Sequence, residues 1–447
     1  MMPGQMARRR VWMASVALLG GLWAGMAAAQ QQPPITIVVN QSPWFEGFRR
    51  SVELYEERTG NAVELDVNPF AGSLEKQRTA VRSAESPFDL LVINNGFYVE
   101  MYQGGFLRPL NEIDPEFRLD PEIYTFDDTV YWDLEANRAT GEGGTLMTVP
   151  INPNIPLLYY RSDLYEENGL EVAETWDELL ANAKALHDPP ERYGIVQRGV
   201  RGAFDVTYDF LPYLWSMGGD FFRDQKAGDY TIVINSPESK AALDYYIRLA
   251  HEAGHPNTAG VSQSDVIQNL VTGKSAHAIL VIAAWSQMDD PNKSAVPGQI
   301  AFAVPPHGPD FRPAPPLGHW LGGIPKNIPE ERQRAALEFL RWFQTEEAQT
   351  AYAEGGSPPV RRDVLQSDMA KEERFRWMPA LAQGLELARQ TFFIPEAAEV
   401  VAVAEVHLNQ AIAGEETSSE ALNRMADEIA QIMRRGGYDA PTLEPLP

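Results

Sequence analysis

Residues 35–94 read ITIVVNQSPWFEGFRRSVELYEERTGNAVELDVNPFAGSLEKQRTAVRSAESPFDLLVIN, and their rhythm decides the fold. ITIVVN (35–40) is a short apolar run rich in β-branched residues, which predicts a strand. FEGFRRSVELYEERTG (45–60) places Phe48, Val52 and Tyr55 on one helical face and ends on Gly60, a stop signal. AVELDV predicts a second strand, SLEKQRTAVRSAE a second helix, and FDLLVIN (88–94) a third strand. Strands alternating with helices at this spacing predict an α/β fold with a doubly wound parallel sheet. Such sheets bind ligands beyond the carboxyl ends of their strands. Here those ends are Asn40-Gln41-Ser42 and Asn94-Asn95-Gly96. Amides offer donors and acceptors without charge, which suits a neutral hydroxylated ligand. Asn and Gly also serve simply as turn residues. Their occurrence at two equivalent strand ends favours the binding reading.

The 447 residues suggest two or three domains, and 44% hydrophobic with 22% charged residues is a globular composition. A net charge of −25 argues against nucleic acid as a partner, since such binding needs Lys and Arg surfaces. Residues 1–29 are expected to be a signal peptide. Arg8, Arg9 and Arg10 precede an apolar run from Val11 to about Trp23, and Ala27 and Ala29 occupy the small-residue positions of a cleavage site before Gln30. The Arg pair before VWM leaves both the general secretory and the twin-arginine route open. That segment holds three arginines and no acid, so its removal would leave a chain of −28. With no cysteine, the exported chain would fold without disulfides and carry no lipid on an N-terminal Cys, free in a periplasm.

Further on, VPINPNIPLLYYRSDLYEENGL (149–170) interrupts a strand-like run with Pro and Asn, predicting a crossover between lobes. Thr175 and Glu178 form a predicted capping box for the helix in TWDELLANAKAL. Other helices are expected at 237–252, 330–344 and 417–434, and the Pro-rich 304–316 as a surface loop or second crossover.

HEAGH (251–255) has the spacing of a zinc protease motif, which works only within a continuous helix. Gly254 and Pro256 instead end the helix there, and no Glu follows Glu252 before Glu330. The sequence has no G-x-S-x-G elbow, no phosphate loop and no thiol. A carboxylate pair for glycoside hydrolysis is a matter of spatial pairing and stays open. The aromatic residues are more telling. In AHAILVIAAWSQMDDP (276–291) a buried-looking run gives way to polar residues at Trp285, and Trp320 sits in LGHWLGGIPK in the same way. Most of the ten tryptophans are expected in the core. These two are read as ligand contacts, since an indole stacks on the apolar face of a sugar or polyol.

Taken in order over residues 35–435, the chain resembles the extracellular solute-binding proteins of ABC importers, in the carbohydrate-binding family to which maltose-binding protein belongs. FEGFRRSVELYEERTGNAVELDV is similar to that family's first helix and second strand, and PFDLLVINNGFYVEMYQGGFLRPL to its third strand and next helix. VPINPNIPLLYYRSDLYEENGLEVAETWDELLANAKAL resembles the crossover into the second lobe, VTGKSAHAILVIAAWSQ the segment presenting a stacking aromatic, and GHWLGGIPKNIPEERQRAALEFLRWFQTEEAQTAYAEGGSPPVRRDVL the return through the first lobe.

The resemblance implies two discontinuous α/β lobes closing by hinge motion around a ligand, with residues 30–150 and 312–345 in the first and 151–311 and 346–447 in the second. It implies ligand contacts from Gln41, Trp44, Asn94, Asn95, Asn154, Trp285, Trp320 and Arg361, and from Arg198, Arg201 and Asp205 in the segment QRGVRGAFDVTYDFLPYLWSMGG (197–219). Asn154 stands where the family has an acid, and PEAAEVVAVAEV (395–406) lacks the aromatic that maltodextrin binders carry, which favours a small sugar or a polyol. It further implies a monomer that serves membrane permease subunits, with no cofactor, metal or catalytic residue. The rival readings are a binding protein for a glycerophosphodiester or peptide, which would need basic pockets, and a secreted hydrolase.

Overall fold

The computed structural model describes residues 32–447 except 127, 128, 142 and 203. The expected signal segment 1–29 lies outside the described residues. The remainder is built on two sheets, each wrapped in helices, which form the two lobes of the α/β fold.

The first sheet has five strands in the order Val63–Asn68, Ile35–Asn40, Leu90–Asn94, Trp320–Gly323, Thr148–Asn152. The first three are parallel, with Asn40 level with Asn68, as the strand–helix alternation predicts. Trp320–Gly323 runs antiparallel to both its neighbours, so the sheet is mixed. This strand arrives from the second lobe and enters from the opposite end, a consequence of discontinuous connectivity that local periodicity cannot reveal. The helix Phe45–Thr59 buries Phe48, Val52 and Tyr55, and Gly60 closes it in a left-handed conformation at φ 73°.

The second sheet orders Ile300–Ala303, Pro156–Arg161, Ser275–Val281 and Tyr193–Ile195. Every residue of Ser275–Val281 is buried, which explains the unbroken apolar run from Ala278 onward. Three segments connect the lobes: the turn between Asn152 and Pro156, the Pro-rich stretch that leads from Ala303 to Trp320, and the stretch between Leu365 and Met378. The capping box forms as predicted: Thr175 Oγ1 accepts from Glu178 N–H, and Glu178 Oε2 accepts from Thr175 N–H at 2.9 Å.

The helix Glu346–Glu354, expected in the second lobe, lies against Phe45–Thr59 of the first. Ser51 Oγ donates to Ala348 O at 3.2 Å, and Ser357 Oγ to Trp44 O at 2.6 Å. The stretch then reaches Arg361, bonded to Asp120, before the helix Met378–Leu387 packs on second-lobe strands. An amphipathic stripe says that a helix packs, not on what.

Candidate functional site

A cavity of about 310 Å³ lies between the strand ends of the first sheet and the helix Asp205–Ser216 of the second lobe. Its volume stands at the lower end of small-molecule sites, which run ~300–1,000 Å³. Of the eleven residues expected at the site, Gln41, Trp44, Asn94, Asn95, Asn154, Arg198, Asp205 and Trp320 line it.

The first-lobe wall is set by two strand ends. After Asn40 the chain turns, held by Gln41 N–H donating to Asn68 O at 2.7 Å. This turn leaves Asn40 Oδ1, Ser42 Oγ and Trp44 Nε1 buried with no hydrogen-bond partner among the described residues. Buried polar atoms without partners are costly, and three on one cavity wall point to a ligand that supplies the missing bonds. Asn94 Oδ1 accepts from Gly96 N–H at 3.0 Å. The Asn95 side chain is engaged elsewhere: its Nδ2 donates to Leu317 O at 2.8 Å and to Gln390 Oε1 at 3.1 Å. The rings of Trp44 and Trp320 lie 5.5 Å apart, and Phe70 stands edge-on to Trp320 at 5.9 Å. The cavity therefore has an aromatic side and an amide side.

On the second-lobe wall, Arg198 is almost fully buried. Its Nε donates to Asp209 at 3.2 Å and its Nη1 to Asp205 at 3.4 Å, while Nη2 is left unpartnered. Two carboxylates share one cation here. Burial pushes Asp205 and Asp209 upward against the pull of Arg198, and the two carboxylates hold the guanidinium protonated. Tyr208 OH donates to Pro316 O at 2.8 Å and to Asn154 O at 3.2 Å, tying this wall to two of the connecting segments.

Three expected residues stand elsewhere. Trp285 does not line the cavity; it begins the helix Trp285–Asp289 and packs at 5.0 Å on Trp377 and 6.0 Å on Phe375 in the second-lobe core. Arg361 sits in the first lobe, held by Asp363, Asp120 and the carbonyl of Gln344. Arg201 is exposed and outside the lining. Asn40 and Ser42, which the strand-end argument named beside Gln41 without carrying them into the contact set, line the cavity as well. Phe70, Phe204 and Tyr208 also line it, although the sequence reading did not single them out. Phe70, Phe204 and Tyr208 carry no local signal.

HEAGH falls where the helix Pro237–Ala253 ends. His255 Nδ1 accepts from Asn257 N–H at 3.1 Å, so this nitrogen is engaged in the turn that follows the helix. Among the described residues no group of three or more His, Asp or Glu is placed to hold a metal. Asp205 is the sole carboxylate among the described residues lining the cavity.

A ligand cavity between two α/β lobes, at the carboxyl ends of the first sheet's strands, is the arrangement of a bilobal binding protein. The chain matches the family of bacterial extracellular solute-binding proteins over residues 24–350, and it belongs to that family. It is 24% identical over 392 residues to the mannitol-binding protein of Pseudomonas aeruginosa, covering 81% of this chain and 84% of that one. Among solved structures it is similar to the maltose-bound MalE3 of T. maritima, with a TM-score of 0.77 and 25% identity over 89% of this chain and 99% of that one. It also shares its fold with a solute-binding protein of Agrobacterium vitis S4 holding D-mannitol, at a TM-score of 0.75 and 21% identity over 91% of this chain and all of that one. The protein is an ABC-transport solute-binding protein with the architecture of the maltose-binding type.

Proposed function

We propose that this protein captures a small neutral carbohydrate, a polyol or a mono- or disaccharide, and hands it to the permease of an ABC importer without altering it. The observation that carries this reading is the cavity lining: unpartnered Asn40 Oδ1, Ser42 Oγ and Trp44 Nε1 beside an aromatic wall. Hydroxyls satisfy such atoms, and the C–H face of the same molecule lies on the rings. The mannitol-binding and maltose-bound relatives support the same ligand class.

A phosphorylated ligand fits less well. The one arginine among the described residues lining the cavity is already matched by Asp205 and Asp209, so a phosphate would meet no free positive charge from them. A single lining carboxylate among the described residues also departs from the two that glycoside hydrolysis uses, which supports binding without turnover. The chain would act as a monomer in the periplasm after loss of residues 1–29, without a lipid anchor. Its first lobe would comprise the segments before Asn152 and from about Trp320 to Leu365.

Thermal unfolding of the purified protein against sugars, polyols and phosphorylated glycerols tests the reading. A ligand at one hundred times its dissociation constant stabilises the folded state by about 2.7 kcal/mol, seen as a raised midpoint. A shift with a neutral sugar or polyol is expected; a shift with glycerol phosphates alone would refute the choice of ligand class.

A further inference from the structure

Phe204 is one of the residues that line the cavity. It comes from the second lobe, yet its ring meets Phe97 of the first edge-to-face, with centroids 6.0 Å apart. It also lies over Gly96, where an added Cβ would come within 2.9 Å of Phe204 Cζ. Glycine at 96 is thus what allows the ring to reach the opposite wall.

Phe204 also pays a conformational cost to be there. Its φ of 65° is left-handed, an uncommon state for a bulky side chain, and such outliers persist only where surroundings over-determine them. Those surroundings are visible. The helix Ala397–Ile412 grips the preceding loop at two points: Asn409 Nδ2 donates to Gly199 O at 2.7 Å, and Glu405 Oε2 accepts from Gly202 N–H at 2.8 Å. Downstream, Phe204 caps the helix Asp205–Ser216, and its carbonyl accepts from Tyr208 N–H at 3.0 Å.

We propose that Phe204 is a specificity-determining gate: it closes the cavity against Gly96 and Phe97 and limits the ligand to a short polyol or one to two sugar rings. This rests on the carbohydrate reading above and adds a length limit to it. On this reading the Phe204 ring, held against the opposite wall, stands in the way of a longer chain of sugar rings.

Calorimetric titration of the full protein and two variants with D-mannitol, maltose and maltotriose tests the gate. Phe204→Gly keeps the left-handed backbone and removes the ring; Gly96→Ala intrudes on the ring from the other lobe. The native protein is expected to bind D-mannitol or maltose and to reject maltotriose. Phe204→Gly should weaken the small ligand about tenfold and admit maltotriose, whereas Gly96→Ala should weaken the small ligand and still reject maltotriose. Native-like affinities in both variants, or native binding of maltotriose as tight as that of the shorter ligands, would overturn the gate and leave the carbohydrate reading standing. No binding of any of the three by the native protein would overturn both.

Discussion

The Arg198 guanidinium donates to Asp209 on its buried side and to Asp205 on its cavity side, so the two acids have different duties. Asp209 is fully buried and also takes Tyr246 OH at 2.7 Å and Arg198 N–H at 3.0 Å. Removing it strands a buried cation, so Asp209→Ala should lower the unfolding free energy by about 3–5 kcal/mol in denaturant melts. Asp205→Asn leaves that anchor intact; it should keep the melting point and weaken ligand about tenfold in titration calorimetry, the loss of one charge-assisted hydrogen bond. Glu405 carries the pH dependence. Burial, reinforced by nearby Asp205 and opposed by the N–H groups of Gly202, Asp205 and Phe204, pushes its carboxyl from 4.5 up to about 7. A raised carboxyl favours the proton in the folded state, so its contribution is complete below pH 4.5 and lost as pH rises through 7. Glu405→Gln should therefore gain on the native melting point between pH 4.5 and pH 8, and a constant gap across that range would refute the assignment. Trp285 shows what a sequence leaves undecided at this scale. A strand end can turn an indole to solvent, ligand or core, and its partner Trp377 is remote in sequence. Trp285→Ala should cost about 3–5 kcal/mol of stability, as large-to-small core changes do, in a denaturant titration without ligand.

Elements were legible where their signals are local. Gly60 ends its helix, Thr175 and Glu178 cap theirs, and ITIVVN, AVELDV and FDLLVIN lie side by side in one sheet because a parallel βαβ unit leaves little choice. Partners chosen across hundreds of residues were not legible, and the helix Glu346–Glu354 is the plain case. It lies so close to Phe45–Thr59 that a Cβ at Gly47 would come within 2.5 Å of the Tyr352 carbonyl and meet the Ser357 side chain closer still. A backbone carbonyl cannot rotate aside, so Gly47→Ala must push the two helices apart. It should cost about 1–3 kcal/mol, measured as a lowered denaturation midpoint with unchanged slope. If the variant matched the native protein, the close seating of these helices would be wrong. The same distance in sequence hid the cavity's Phe204 and Tyr208. Their positions depend on a loop gripped by Glu405 and Asn409, about two hundred residues downstream.

For the molecule as a whole, net charge and ligand class make one further prediction. The chain carries −25, and at the cavity the lining Asp205 and the buried Asp209 behind it share Arg198. An anionic ligand would approach against that field, and salt would ease its binding by screening the repulsion, since the Debye length contracts from ~10 Å at 0.1 M to ~3 Å at 1 M. A neutral polyol or sugar interacts through hydroxyl hydrogen bonds and ring contacts that salt hardly touches. The dissociation constant for D-mannitol or maltose should therefore stay nearly flat from low to high sodium chloride in calorimetric titration. Lobe closure does not spoil this expectation, because a net-negative chain folding its lobes together would gain from salt only as far as charges on opposite lips come within a Debye length, and the contact of Phe204 with Gly96 and Phe97 across the cleft is uncharged. An affinity that tightened steadily with salt would mean that like charges meet on closure or on the ligand, and the neutral-ligand reading would fall with it.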